Sequence, residues 1–242
     1  MSLAGKQCII SGGSRGIGLS IARVFAAEGA GCTLVGRNKE RLVAAVETLE
    51  GKDALQHEIS CFDVGSANGW EKLKAETKNR KCDILVNAAG ISQNSFLFAT
   101  TVPDIHKLVQ TNLMGTTWSC RYFVPKMMKQ KEGCIINVSS LLATHGGRGA
   151  SVYAASKAGI VALTRSLAWE VGRFGIRANV LLPGYIQTEM TEGMDNNGEL
   201  SALIPMGRLG LAEEVADAAL FLARNSYAHN CVLNIDGGLS AT

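Results

Sequence analysis

Several features that would mark other classes of protein are missing from this sequence. No apolar run reaches the roughly 18 residues that span a bilayer, and no basic block forms the footprint of a nucleic-acid or membrane surface. No internal repeat, low-complexity tract or linker divides the 242 residues, and the formal net charge of +3 is spread along the chain. We therefore expect a single domain, residues 1–242, that binds neither nucleic acid nor a membrane.

The cysteine pattern lacks the signatures of disulfide and metal chemistry. The seven cysteines are odd in number, no two form C-x-x-C, and none pairs with a histidine at metal-binding spacing. His145 and His229 have no candidate co-ligands, so we expect no metal. Most cysteines lie in apolar runs, which is typical of reduced thiols in a reducing compartment. Because the first residues also lack a targeting leader, we expect a soluble, intracellular protein, either cytoplasmic or mitochondrial.

Short β-type runs alternate with longer helical stretches along the whole chain. Several runs are apolar almost throughout, as parallel strands covered on both faces are. This alternation predicts an α/β fold with a doubly wound, Rossmann-type parallel sheet of about seven strands and helices on both faces. In such sheets ligands bind beyond the carboxyl ends of the strands. The predicted strands are 7–11, 32–36, 57–64, 83–89, 134–140, 177–183 and 231–236.

Three glycines follow the first predicted strand and open a helix. Gly12, Gly16 and Gly18 have the spacing G-x-x-x-G-x-G. Glycines at this place permit a tight turn and close backbone approach to a pyrophosphate, which the helix N-terminus stabilises. The spacing indicates a dinucleotide site, and an ordinary strand-to-helix turn is the alternative.

The end of the second strand indicates which nicotinamide cofactor is bound. An Asp or Glu there would accept a hydrogen bond from the ribose of NAD, whereas an arginine accommodates the 2′-phosphate of NADP. The run "LVGRN" offers Arg37 and no carboxylate, and Arg15 of the glycine loop could reach the same phosphate. Unless both arginines are merely solvated, the cofactor is NADP(H).

The third and fourth strand ends carry weaker signals. Asp63 could accept a hydrogen bond from the adenine amino group, with Val64 supplying a backbone contact, or it could cap the next helix. These two roles for Asp63 stay open. The run "NAAG", from Asn87 to Gly90, puts small residues where the chain would pass a cofactor.

A tyrosine and a lysine stand four residues apart in the run "SVYAASKAGIVAL". On a helix, Tyr153 and Lys157 share one face. A nearby ammonium favours the phenolate and would lower the pKa of the phenol from about 10, which makes the tyrosine a candidate general acid or base. A packed tyrosine beside a solvent-seeking lysine is the alternative. The fifth strand ends in "NVSS", where Ser140, with Ser139 as its rival, could hydrogen-bond a substrate carbonyl.

These motifs occur in order across nearly the whole chain, together with "TNLMG" and "PGYIQTEM". The sequence therefore resembles the short-chain dehydrogenase/reductase family, and within it the 3-oxoacyl-(acyl-carrier-protein) reductases of fatty-acid synthesis and related mitochondrial carbonyl reductases. The resemblance implies a catalytic tetrad of Asn112, Ser140, Tyr153 and Lys157. It also implies that the cofactor is bound by Gly12, Ser14, Arg15, Gly16, Ile17, Gly18, Arg37, Asp63, Val64, Asn87, Ala88, Gly90, Tyr153, Lys157, Pro183, Gly184, Ile186 and Thr188.

The implied reaction is NADPH-dependent reduction of a ketone, most similar to that of 3-oxoacyl-(acyl-carrier-protein) in fatty-acid synthesis. A small-molecule carbonyl or quinone reductase, and a non-catalytic nucleotide-binding subunit of a hetero-oligomer, are the alternatives. Residues 191–210 suit a lid over the substrate. Small residues on a second face of the Tyr153 helix predict packing against another subunit, and the family implies a homotetramer. Cations near the site could steer an acidic carrier protein, and the candidates are Lys126, Lys129, Lys131, Arg173 and Arg177.

Overall fold

The computed structural model describes residues 2–51, 57–195 and 197–241. It contains one sheet of seven parallel strands, and each strand lies within or overlaps a predicted run. The α/β prediction is confirmed, whereas the single domain over residues 1–242 stays a prediction. The strands are β1 (Gln7–Ser11), β2 (Gly31–Gly36), β3 (Glu58–Cys61), β4 (Ile84–Asn87), β5 (Gly133–Val138), β6 (Ile176–Pro183) and β7 (Val232–Ile235).

Helices cover both faces of the sheet. After β4 the chain forms one uninterrupted helical stretch, in which a π-helical segment, Gln110–Met114, joins two α-helices. None of the helices in the described residues is long and apolar enough to cross a membrane. The α-helices are α1 (Gly16–Ala27), α2 (Lys39–Glu47), α3 (Ala67–Glu76), α4 (Val102–Val109), α5 (Gly115–Gln130), α6 (Leu142–His145), α7 (Ser151–Val171), α8 (Glu199–Leu203) and α9 (Ala212–Arg224).

The core forms two apolar layers, one on each face of the sheet. One layer joins α1, α2 and α9 to the strands, with Phe25 and Leu34 fully buried. The other joins α3, α5 and α7, and the rings of Trp70 and Phe123 meet edge to face there at 6.3 Å between centroids. The central strands are apolar at nearly every position because the side chains on both of their faces are buried in one of these layers.

The strand order is β3-β2-β1-β4-β5-β6-β7. The chain winds outward from β1 in one direction and then from β4 in the other, so the carboxyl ends of β1 and β4 flank a crevice. The loop after β1 enters it tightly: Gly12 has a φ of +72°, and a Cβ there would lie 2.8 Å from the Ala89 nitrogen. A side chain at this position would therefore be both strained and obstructed.

The structure shortens the third predicted strand, which covered 57–64, to Glu58–Cys61. β3 is the edge strand and pairs only with β2, whose own strand ends at Gly36. Beyond that point the chain turns, since the Gly65 nitrogen donates to Asp63 Oδ1 at 2.9 Å. The predictions for β4 and β5 also ran beyond the ladder, because the residues after these two strands leave the sheet for the crevice, and the prediction for β7 was one residue too long at each end.

Candidate active site

A cleft begins at the glycine loop between β1 and α1. Helix α1 has Arg15 at its N-cap, no acidic residue in its first turn, and no side-chain cap among the described residues. Its first N–H groups are therefore without the side-chain partner that usually satisfies them. Gly12, Gly16 and Gly18 line the cleft. These residues fit the pyrophosphate of a dinucleotide, because amide donors and a positive helix end face a cradle without side chains.

Arginines lie at the far end of this cleft. Both Arg15 and Arg37 line it, beside Gly36 at the end of β2. No ion pair holds Arg37 within the part of the chain that the structure describes. Arg15 and Arg37 thus line the same cleft, and their binding of a 2′-phosphate stays a prediction.

A second cleft continues from the first toward α7. Ile17, Thr188 and Met190 line both clefts, so the two form one groove over the carboxyl edge of the sheet. The structure brings most of the predicted site residues to this groove. Those that line it are Gly12, Ser14, Arg15, Gly16, Ile17, Gly18, Arg37, Val64, Ala88, Gly90, Ser140, Tyr153, Pro183, Gly184, Ile186 and Thr188.

Ser140 and Tyr153 form the polar centre of the second cleft. The Ser140 hydroxyl lies beside the Tyr153 phenol and, as a hydrogen-bonding neighbour, acts to lower the pKa of that phenol. Ser139, the rival candidate, instead donates its hydroxyl to the backbone oxygen of Lys157 at 2.8 Å. Its proton is thereby committed to helix α7. The geometry thus favours Ser140 over Ser139 as the hydroxyl available to a ligand.

Lys157 lies beneath Tyr153 and is almost completely buried, with 4% of its surface exposed. Its Nζ donates to the Val138 oxygen at 2.9 Å and lies 5.8 Å from the centroid of the Tyr153 ring. Burial lowers the pKa of the ammonium from 10.5 to about 8. A buried lysine that the chain keeps beside a tyrosine is a candidate functional group, since burial of its charge costs stability.

The predicted effect of the lysine on the pKa of the tyrosine is wrong. Burial raises the pKa of the Tyr153 phenol, and this outweighs the lowering by Ser140. The ammonium of Lys157 is directed to the Val138 oxygen and is itself destabilised by burial. The free protein therefore holds Tyr153 as a neutral phenol, the form that can donate a proton.

Asn112 lies in the π-helical segment and is fully buried. Its Oδ1 accepts from the Ile91 nitrogen at 2.9 Å, and its Nδ2 donates to the Ile91 oxygen and to Ser156 Oγ. A Cβ on Gly90 would lie 3.4 Å from both Asn112 Oδ1 and Lys157 Nζ. Asn112 thus ties the loop after β4 to α7 beside the lysine.

Two residues with predicted cofactor contacts are turned away from the groove. The side chain of Asn87 is buried, where it donates to Asn137 Oδ1 at 2.8 Å and accepts from Ser119 Oγ at 2.6 Å. Asp63 accepts from the Gly65 nitrogen at the turn before α3. The Asn87 side chain is therefore committed to the core, and Asp63 forms a turn but does not cap α3, whose N-cap is Ser66. The cofactor contacts of both residues stay predictions.

The cations predicted near the mouth of the site lie elsewhere. The three lysines precede β5, Arg173 precedes β6 and Arg177 is the second residue of β6, so within one chain all five stand toward the amino ends of these strands, opposite the groove. Arg177 donates to the backbone oxygens of Leu222, Ala223 and Ala228 at 2.6, 2.8 and 2.9 Å. Lys126 donates to the Thr77 oxygen. The prediction that these five cations surround the pocket mouth is therefore wrong.

Sequence reasoning missed two residues of the groove. Gln93 Oε1 accepts from the nitrogens of Val152 and Tyr153 at 2.9 and 3.0 Å, and so caps α7 and fixes the tyrosine's helix. Arg148 lines the second cleft, with its guanidinium 5.2 Å from the centroid of the Phe96 ring. No sequence signal identifies either residue, because their partners are distant in the chain or lie in unpatterned loops.

Two further predictions concern metals and the lid. In residues 2–51, 57–195 and 197–241, no three His, Cys, Asp or Glu side chains gather as metal ligands would. His229 contacts backbone instead, since its Nδ1 accepts from the Ala178 nitrogen.

The predicted lid, 191–210, includes α8, and residue 196 lies outside the described part. Its closure over a substrate stays a prediction.

Comparison with known proteins places the chain in a family. The family described as enoyl-(acyl carrier protein) reductase matches residues 12–240. A 3-oxoacyl-(acyl-carrier-protein) reductase FabG of Chlamydia pneumoniae is 43% identical, with 99% of each chain covered. The 3-oxoacyl-(acyl-carrier-protein) reductase of Bos taurus is 41% identical, over 98% of this chain and 99% of its own. Carbonyl reductase family member 4 of Xenopus laevis is 40% identical, over 97% and 98%.

Solved structures agree with these relatives. A short chain dehydrogenase/reductase family protein superposes with a TM-score of 0.91 at 34% identity, with 100% of both chains covered. Levodione reductase superposes with a TM-score of 0.92 at 31% identity, with 99% of both chains covered.

Proposed function

This chain belongs to the short-chain dehydrogenase/reductase family, and we propose that it reduces 3-oxoacyl thioesters on acyl carrier protein to 3-hydroxyacyl thioesters with NADPH. The observation that supports it most strongly is that Ser140 and Tyr153 lie together, beside the buried Lys157, in a groove that continues to the glycine loop. The names of the Chlamydia pneumoniae and Bos taurus relatives support the substrate class.

The protein's own residues supply the proton and the binding of the carbonyl oxygen. Bound NADPH supplies the hydride that the carbonyl carbon receives. Tyr153 transfers its phenolic proton to the carbonyl oxygen, and the Ser140 hydroxyl donates a hydrogen bond to the same oxygen. The phenolate that remains is stabilised by the ammonium of Lys157, and Asn112 holds the neighbouring backbone in place. Because the free phenol is neutral, the proton is present when substrate arrives.

The cofactor contacts follow the groove. The amides after Gly12 and at the start of α1 bind the pyrophosphate, and Arg15 and Arg37 bind the 2′-phosphate of NADPH. Pro183, Gly184, Ile186 and Thr188 border the second cleft and bind the nicotinamide end. Lys157 binds the ribose next to it. The fit rests on the uncapped helix and on cations at the end of β2 without a carboxylate at that strand end.

The carrier-borne substrate is favoured over two other functions. The alternatives are reduction of small carbonyls or quinones, in keeping with the name of the Xenopus laevis relative, and a catalytically silent subunit. A complete Asn112, Ser140, Tyr153 and Lys157 set supports a catalyst. Arg148 is an exposed cation at the second cleft, where it would meet an acidic carrier protein. The compartment, cytoplasmic or mitochondrial, stays a prediction.

An assay of NADPH consumption tests the proposed function. Purified protein should oxidise NADPH, followed at 340 nm, with acetoacetyl-acyl carrier protein, and kcat/KM should exceed that with a model quinone by at least about tenfold. The reason is that carrier and acyl chain contribute binding energy that a small ring lacks. A crotonoyl thioester serves as the matched control, since it presents a carbon–carbon double bond and no ketone at C3.

Three results would contradict the proposal in different ways. Faster turnover of quinone would favour the small-molecule alternative, and turnover of the crotonoyl thioester alone would indicate an enoyl reductase. No turnover of any substrate, with NADPH still bound, would indicate a silent subunit.

Replacing Arg37 by aspartate tests the cofactor assignment. We expect Arg37→Asp to raise the Kd for NADPH by about tenfold or more and to leave the Kd for NADH within about threefold. A charged hydrogen bond contributes about 1.5–3 kcal/mol, and aspartate would also repel a 2′-phosphate. Fluorescence titration measures both constants. Lys39→Asp makes the same change in charge two residues away, and an equal loss there would show a general electrostatic effect.

The protein is also proposed to be a homotetramer. On α7, Ala155, Ala162 and Trp169 are exposed at seven-residue spacing, and the Trp169 side chain is 88% exposed. An indole left in water is unfavourable, whereas a second α7 would cover it. Part of the predicted small-residue face, which consists of Ala154, Ala158, Gly159 and Ala162, is used within the chain, because a Cβ on Gly159 would lie 3.1 Å from the Leu113 side chain. Light scattering during size-exclusion chromatography measures the number of subunits.

A further inference from the structure

One carboxylate lies between two of the arginines near the glycine loop. Glu189 Oε2 accepts from Nη1 of Arg15 and from Nη1 of Arg41, the latter at 3.1 Å. The three residues come from separate segments: the N-cap of α1, the first turn of α2 and the chain beyond β6. A single acidic residue thus bridges the guanidinium groups of two arginines that belong to different secondary-structure elements.

This bridge occupies the part of the groove that the 2′-phosphate would use. Arg15, Arg37 and Glu189 all line the first cleft. A guanidinium that donates to a carboxylate cannot give the same N–H groups to a phosphate. The carboxylate of Glu189 is therefore positioned as an internal substitute for the phosphate of the cofactor.

Glu189 is also connected to the segment that leads into the predicted lid. The Thr191 hydroxyl donates to the Ile186 oxygen at 2.5 Å and accepts from the Thr188 nitrogen at 3.1 Å. These bonds make a compact turn around Glu189. A Cβ on Gly16 would lie 3.4 Å from the Thr188 side chain, so the turn rests on the glycine loop.

We propose that Glu189 competes with the cofactor's 2′-phosphate for Arg15 and Arg41, and that Arg41 is a specificity-determining residue for NADP(H). The inference rests on the proposed use of NADPH. Binding of the phosphate displaces the Glu189 carboxylate and takes its place on both guanidinium groups. The cofactor without this phosphate, NADH, cannot displace Glu189 in this way.

The phosphate prevails because the existing pairs are weak. The side chains of Arg15, Arg41 and Glu189 are about half exposed, and exposed ion pairs contribute little and are screened by salt. A phosphate ester carries close to two charges and three acceptor oxygens, so it binds guanidinium groups more strongly than one carboxylate does.

Titration with cofactor fragments tests the competition without catalysis. The probe is 2′,5′-ADP, which carries the 2′-phosphate, and 5′-AMP is the matched ligand without it. Isothermal titration calorimetry should show that Glu189→Gln binds 2′,5′-ADP about three- to fivefold more tightly than the wild-type protein. The variant loses two competing ion pairs, each with the small energy typical of exposed ion pairs. Arg41→Gln should bind it about tenfold more weakly. Neither variant should change the Kd for 5′-AMP.

Glu192→Gln is the control variant, because it removes an exposed carboxylate three residues away and should leave both constants unchanged. Unaltered or weaker binding of 2′,5′-ADP by Glu189→Gln would overturn the competition, and unaltered binding by Arg41→Gln would overturn the role of Arg41. If the wild-type protein preferred 2′,5′-ADP while Glu189→Gln had no effect, only this inference would fail. If the wild-type protein bound both fragments equally, the NADP(H) assignment would fail with it.

Discussion

Tyr153→Phe is expected to lower kcat for ketone reduction by about a thousandfold, the loss typical when a general acid is removed. The substitution removes one oxygen and keeps the ring, which packs beside the ammonium of Lys157. NADPH binding should persist, because the glycine loop and the arginines are unchanged. Single-turnover absorbance at 340 nm measures the chemical step, and fluorescence titration measures the cofactor Kd.

The matched control for this variant is Tyr185→Phe. Tyr185 lines the same cleft and also carries a phenol, but it lies in the turn after β6 and not on α7. We expect Tyr185→Phe to change kcat by less than about tenfold, in keeping with loss of one neutral hydrogen bond. Equal losses in the two variants would contradict the assignment of the proton to Tyr153, and retained activity in Tyr153→Phe would refute it outright.

Lys157→Met is expected to abolish turnover and to raise the melting temperature. The pKa of Lys157 falls from 10.5 to about 8 on burial, a difference of 2.5 units that corresponds to about 3 kcal/mol of lost stability at pH 7. Methionine has a similar shape without the charge, and the lost hydrogen bond to the Val138 oxygen offsets about 1 kcal/mol of the gain. The net gain of about 2 kcal/mol should raise Tm by about 5 °C in differential scanning calorimetry.

The pH dependence gives this prediction a sign that can be checked. The unfolded lysine keeps its proton up to about pH 10.5, whereas the folded one loses it near pH 8. Between these values the unfolded state binds more protons, so wild-type stability should rise with pH and approach that of the variant. Reduction needs the ammonium, so kcat/KM should be level below about pH 8 and fall above it.

Lys126→Met is the matched control for Lys157→Met. Lys126 is a partly buried lysine that also donates to a backbone oxygen, that of Thr77, and burial lowers its pKa. It lies far from the groove, so activity should be retained. The claim under test is that the protein keeps a buried ammonium for function at a cost in stability. A fall in Tm for Lys157→Met, or a stability that depends on pH in the same way in the variant and the wild type, would contradict it.

The sequence by itself determined the sheet and most of the groove. Each of the seven strands was predictable because strands buried on both faces read as continuous apolar runs. The position of Gly12 was predictable because only glycine tolerates its φ and its contact with Ala89. The pairing of Tyr153 with Lys157 followed from helical spacing alone, since residues four apart share a face.

The tertiary structure decided which polar groups face the groove and which charge states they hold. "NVSS" contains two equivalent serines, and only the position of α7 assigns Ser139 to its backbone and leaves Ser140 beside Tyr153. The pKa values of Tyr153 and Lys157 depend on burial by distant segments, which raises the first above the opposing effect of Ser140 and lowers the second. The bridge from Glu189 to Arg15 and Arg41 joins residues up to 174 positions apart, and local spacing carries no information about such contacts.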